Sequence, residues 1–157
     1  MSVQPEGEGP RLTAKVVTFD PDLDLAVLEV PDLGAAPLRT TGALEHATGV
    51  VVAGFPQDGP YRVTPARVRG VLHAPGDDIY GGSGVTREVY SLYAAVQPGN
   101  SGGPVLTKDG RVAGTVFARS MVDTETGYAL TNADTAAKID QAAYDTTPAS
   151  TQHCISD

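Results

Sequence analysis

Gln97-Pro98-Gly99-Asn100-Ser101-Gly102-Gly103-Pro104 is the stretch on which the fold reading turns. A serine hydroxyl sits here between glycines, which let the backbone bend sharply. Such a bend can aim the N–H groups of Gly99 and Ser101 at one point, the arrangement that stabilises a developing oxyanion. An ordinary Gly-rich turn would read the same in isolation. The residues after the serine separate the fold classes. Gly102-Gly103-Pro104-Val105-Leu106 starts a helix poorly and reads as a strand. That excludes the strand–turn–helix setting of a nucleophilic serine in an α/β sheet.

Working outward, the pattern is β on both sides. Residues 88–96 and 104–107 read as strands flanking the loop. Lys108-Asp109-Gly110 carries the Asp-Gly hairpin signature, 111–118 completes that hairpin, and 127–131 forms a last strand. Upstream, 12–19 roughly alternates and is rich in β-branched residues. Asp20-Pro21-Asp22 is a turn, and 25–30 is a second, largely buried strand. Residues 1–10 form an irregular lead-in, and 31–45 a linker rich in Pro, Gly and Ala. A third strand covers 49–55, with a turn at 56–59. Residues 61–73 alternate around Pro65, which suggests an edge or a bulge. Residues 74–85 read as a surface loop. One helix is expected at 134–144, capped by Asp134. Without βαβ alternation or internal repeats, the class is all-β, a barrel or sandwich closed by a short C-terminal helix.

Composition agrees. The 157 residues include 18 Gly and 12 Pro, well above the usual share of about 12%. With 6% aromatics, that suits turn-rich β structure. A net charge of −8 argues against nucleic acid and against anionic membrane surfaces as partners. No apolar run approaches the roughly 18 residues of a membrane span, and the polar start lacks the basic region of a signal peptide. The single cysteine, Cys154, has only His153 beside it, so neither a metal site nor a cofactor is expected. It is an inert thiol or one half of a disulfide. Gly81-Gly82-Ser83-Gly84 lacks the Lys and helix of a phosphate-binding loop and reads as a flexible loop.

Asp20-Pro21-Asp22-Leu23-Asp24-Leu25-Ala26-Val27-Leu28 is the second informative stretch. Turn chemistry explains Asp20 and Asp22. It explains Asp24 less well, because an acid directly before a buried apolar strand is costly unless paired. With Ser101 lying 77 residues downstream, the chain resembles the trypsin-like, chymotrypsin-fold serine proteases, in particular their bacterial HtrA-like and MarP-like branch. Asp24 through Leu28 is similar to that family's triad-aspartate context, and Gly99 through Pro104 to its nucleophile loop. Further similarity lies in Gly54-Phe55-Pro56, Thr64-Pro65-Ala66-Arg67-Val68-Arg69, Asp78-Ile79-Tyr80-Gly81, Glu125-Thr126-Gly127-Tyr128-Ala129-Leu130-Thr131 and Cys154-Ile155-Ser156.

The resemblance implies a chymotrypsin-type double β-barrel. Residues 1–45 would be the remnant of an incomplete N-terminal barrel plus linker. Residues 46–157 would be a complete C-terminal barrel with its terminal helix. Ser101 would attack a peptide or protein substrate, Asp24 would orient a histidine, and the N–H groups of Gly99 and Ser101 would hold the oxyanion. The substrate pocket would be walled by Ala95, Val96, Gln97, Phe117, Ala118, Arg119 and Gly127. None of these is acidic, so a neutral or apolar P1 residue is expected rather than Lys or Arg. Cys154 would bond a cysteine outside the chain. The location implied is extracytoplasmic, with a membrane anchor only in an N-terminal region preceding these residues.

The family's order is His, Asp, Ser. None of the three histidines, His46, His73 and His153, precedes Asp24 or matches the family's Thr/Asn-Ala-x-His context. Asp24…His73…Ser101 has the subtilisin order, and Ser101…Asp…His153 the α/β-hydrolase order. Both of those folds need helices alternating with parallel strands. The expectation is a sequence that starts inside a protease gene, after the histidine, and is inactive or nearly so alone. The rival is a non-catalytic peptide-binding module, or pseudoprotease relic, on the same fold. An incomplete barrel would expose strand edges and favour self-association.

Overall fold

The computed structural model describes residues 1–151. Two compact units divide the chain. One comprises Met1–Ala35, Pro75–Thr86 and the residues from Thr135 onward; the other comprises Ala36–Ala74 and Arg87–Asp134. His153 and Cys154 lie outside the described residues.

In the first unit, β1 (Ser2–Val3) pairs antiparallel with β2 (Leu12–Thr13), and β3 (Lys15–Asp20) with β4 (Leu25–Glu29). The single strand expected over 12–19 is therefore split, because the Ala14 N–H bonds back to the Met1 carbonyl at 3.0 Å. The irregular lead-in expected at 1–10 contains β1. The largely buried strand expected over 25–30 is corrected too: in β4 only Leu25 is buried and Ala26 is exposed. A two-stranded sheet cannot cover both of its faces. Lys138 Nζ lies 2.9 Å from Asp20 Oδ2. Burial pushes the Asp20 carboxyl up, but Lys138 and the N–H groups of Leu23 and Asp22 more than offset this and hold it below its ordinary value.

The second unit is built on a closed six-stranded barrel. Its strands are β5 (Gly49–Gly54), β6 (Arg62–Asp77), β7 (Ser83–Tyr93), β8 (Pro104–Thr107), β9 (Val112–Arg119) and β10 (Thr126–Thr131). Around the barrel they run β10-β7-β6-β5-β8-β9. Two expectations change here. The surface loop at 74–85 is the end of a long hairpin: β6 continues to Asp77 and β7 starts at Ser83. Its turn is tight because Asp78 Oδ1 accepts from the N–H groups of Tyr80 and Gly82, at 2.8 and 2.7 Å. Pro65 marks neither an edge nor a bulge against β5. It stands opposite Val51 in a register that runs unbroken from Gly49↔Arg67 to Gly54↔Arg62.

Alternate residues of the strands fill the barrel with Val52, Val68, Leu92, Val105 and Ala129, around Tyr90. The Tyr90 ring is fully buried, and burial pushes its phenol above the ordinary value. Its hydroxyl accepts the Leu44 N–H at 2.9 Å, tying the 31–45 linker to the core. Tyr90→Phe should therefore cost about 1–3 kcal/mol, because it leaves the Leu44 N–H without its acceptor. Urea denaturation of both forms measures this. The linker is also laced to β9: the Val112 N–H donates to Arg39 and the Thr41 N–H to Val112, at 2.8 and 2.9 Å. Asn132 Nδ2 donates to the Thr41 and Val112 carbonyls at 2.7 and 2.8 Å.

The helix α1 spans Asn132–Tyr144, so Asp134 falls inside the first turn rather than at the cap. Its Oδ2 accepts the Glu88 N–H at 2.6 Å, and this bond to β7 accounts for an acid there. Among the described residues, no helix is long and apolar enough to cross a membrane.

Candidate active site

The loop from Gln97 to Gly103 connects β7 to β8, and its shape is over-determined. The Asn100 side chain is buried, and its Oδ1 accepts the Gln97 N–H at 2.9 Å. The Asn100 N–H donates to the Gln97 carbonyl at 3.0 Å, and the Gly103 N–H to the Asn100 carbonyl at 2.9 Å. From outside, the Gln57 N–H holds the Pro98 carbonyl at 2.7 Å. On the other side, the Gly102 N–H donates to Val116 and the Val116 N–H to Gly103, at 2.8 and 2.9 Å. Gly99 has φ +89°, and a side chain there would press on the Phe55 carbonyl. The glycine requirement is therefore both conformational and steric.

This framework presents Ser101 to solvent. Its hydroxyl donates to the Phe117 carbonyl at 3.5 Å, a long and weak bond. Among the described residues, the N–H groups of Gly99 and Ser101 bond to no other group. Two free donors flanking an exposed, weakly held hydroxyl are what an acyl-transfer site needs before substrate arrives.

Asp24 belongs to the first unit and Ser101 to the second. Asp24 is exposed, in the left-handed region at φ +54°, at the end of the β3–β4 turn. Aspartate is among the few non-glycine residues that accept this conformation. Turn chemistry thus accounts for Asp24 as it does for Asp20, and its exposed carboxylate needs no buried partner. His46 is exposed. His73 lies within β6 with its side chain 73% exposed, 3.8 Å from the Glu88 carboxylate.

The seven candidate pocket residues cluster at the adjoining ends of β9 and β10 and just after β7. Gly127 pairs with Arg119, and Tyr128 with Ala118. Val96 is buried against Gly127, so close that any side chain at 127 would strike it. Ala95, Gln97 and Arg119 are exposed, and Phe117 and Ala118 partly so. Val96 and Gly127 therefore belong to the packed floor rather than to an open wall. Ala95 and Gln97 also edge a polar cavity of about 480 Å³ with Gln57, Arg62, Thr64 and Asn100. Sequence reasoning missed Asn100 as the organiser of the loop. The signal was present: a polar residue between glycines, with a side chain able to replace a backbone acceptor.

The sequence profile of the trypsin-like peptidase domain matches residues 2–114. The chain is 42% identical over 146 residues to the serine protease Rv3671c of Mycobacterium tuberculosis, covering 91% of this chain and 36% of that protein. It is 34% identical over 110 residues to a protein of Bartonella henselae named a probable periplasmic serine endoprotease, DegP-like, covering 68% of this chain and 21% of that one. The chain thus spans about a third or less of the length of these relatives. Its structure is similar to the crystal structure of the active form of Rv3671c protease, with a TM-score of 0.88 at 39% identity, over 94% of this chain and 65% of that one. The match extends from β1 through the Ser101 loop to the start of β9, and the chain belongs to the trypsin-like peptidase domain family.

Proposed function

We propose that this chain carries the nucleophile and oxyanion hole of a serine endopeptidase. The observation that carries the reading is Ser101, exposed and weakly bonded, between the free N–H groups of Gly99 and Ser101. Ser101 Oγ attacks the scissile carbonyl carbon, and the carbonyl oxygen becomes an oxyanion bound by the two N–H groups. Collapse expels the leaving amine and leaves an acyl-enzyme, which water then hydrolyses. The Ser101 proton passes to a histidine, which Asp24 orients, and from it to the leaving amine. The general base is proposed to come from outside these 157 residues, because His46 and His73 are surface residues and neither fits the family context. Substrates are peptides or proteins with a neutral or apolar P1 residue seated among Ala95, Gln97, Phe117, Ala118 and Arg119, over the floor of Val96 and Gly127. The names of the relatives favour an extracytoplasmic site of action.

A fluorophosphonate probe tests this, since it reacts with a serine in proportion to its activation. The 157-residue chain should label slowly. A form extended at its N-terminus by the family's histidine segment should label rapidly, and at Ser101. Rapid labelling of the chain alone refutes the outside base. An extended form that leaves Ser101 unlabelled refutes the nucleophile.

A further inference from the structure

We infer that the groove on the leaving-group side of Ser101 is an apolar P1′ subsite, set by Leu38, Phe55 and Tyr61. The inference rests on the peptidase reading above and adds a substrate preference to it. The groove has a volume of about 420 Å³ and includes Gly99 and Ser101 in its wall, a size suited to one or two side chains. Three observations set its character. Leu38 and Tyr61 are each 57% exposed, although burial would be favourable for both. Tyr61 packs edge-on against Phe55, with ring centroids 5.6 Å apart and planes at 61°. Leu38 is placed by the neighbouring bond from the Val112 N–H to the Arg39 carbonyl, so it is not carried on a loose tail. Leu106 and Pro104 complete an apolar lining without a charged side chain.

The side follows from the geometry. The Ser101 hydroxyl leans toward the Phe117 carbonyl, where the P1 residues Phe117, Ala118 and Arg119 lie. The groove shares no residue with the seven P1 candidates. A peptide acylating Ser101 with its P1 side chain over those residues must send its leaving half the other way. That path enters the groove.

The test uses peptides that mimic the leaving half, with a free N-terminus: Leu-Ala-Ala-amide against Asp-Ala-Ala-amide. Titrated into the 157-residue chain and followed by NMR, the Leu peptide should shift the resonances of Leu38, Phe55 and Tyr61 and bind at least about tenfold tighter than the Asp peptide. Tyr61→Ala should remove that preference and Tyr61→Phe retain it, with melting temperatures near that of the parent. A P1′ library on the extended, hydrolysing form should favour Leu, Ile or Phe in kcat/KM. Equal binding of the two peptides, shifts elsewhere, or a preference untouched by Tyr61→Ala overturns the subsite. A flat P1′ profile with hydrolysis intact also overturns it and leaves the peptidase reading standing. Selective binding in a protein that hydrolyses nothing has the reverse meaning, since the groove then recognises apolar N-termini and the nucleophile reading fails.

Discussion

Ser101→Ala is expected to lower peptide hydrolysis by the competent, N-terminally extended protein by about 10⁴- to 10⁶-fold, with the fold intact. The size follows from chemistry. Without Oγ no acyl-enzyme can form, and what remains is the contribution of the oxyanion donors and substrate binding. The intact fold follows from the structure. Ser101 is exposed, and its hydroxyl makes one bond of 3.5 Å. The loop is held instead by Gln57 on Pro98, by Asn100 on Gln97 and by the paired bonds between Gly102, Gly103 and Val116. Removing a hydroxyl that supports none of these should change stability by no more than about 0.5 kcal/mol. The checks are kcat/KM on a peptide substrate and a thermal melt on the same preparation. Loss of activity together with a large fall in melting temperature would mean that the serine is structural. Unchanged activity would move the nucleophile elsewhere.

The same loop shows where sequence is readable and where it stops. The Ser101 turn and the Asp109-Gly110 hairpin are legible because their chemistry is local: glycine at forced angles, and short polar side chains bonding their own backbone. The linker at 31–45 is legible for the same reason. The 74–85 segment misleads because Pro75 and Gly76 break most strands. Here they sit in the distal part of a long hairpin, where β6 reaches Asp77 before the Asp78 turn. Asp24 misleads because its exposure depends on what covers β4, which no local pattern encodes. Asp134 reads as a helix cap because caps favour aspartate, whereas its acceptor role is toward Glu88, 46 residues away in sequence. The groove beside Ser101 is invisible in the sequence altogether. Leu38, Phe55, Tyr61 and Leu106 come from the linker, the ends of the β5–β6 connection and β8, and only barrel closure assembles them.

Gly99→Ala should have the second-largest effect, a fall in kcat of about 10²- to 10³-fold, the range seen when one oxyanion donor is lost. Two costs combine at this position. An L-residue at φ +89° carries roughly 1–2 kcal/mol of strain. The new Cβ would also be driven into the Phe55 carbonyl, with the Gln57 N–H only 3.1 Å away. Neither neighbour can yield cheaply, because Gln57 is fixed to Pro98 by its 2.7 Å bond. The loop must therefore rotate at Gly99, which turns that residue's N–H away from the point it shares with the N–H of Ser101. Gly102→Ala isolates the first cost. Gly102 has a similar φ, +81°, yet a Cβ there meets nothing within 4 Å. It should lose comparable stability and much less kcat. Measured side by side, kcat, KM and urea denaturation for the two variants separate backbone strain from displacement of the donor. Equal losses of kcat in both would show that strain alone matters, and would remove Gly99 N–H from the oxyanion hole.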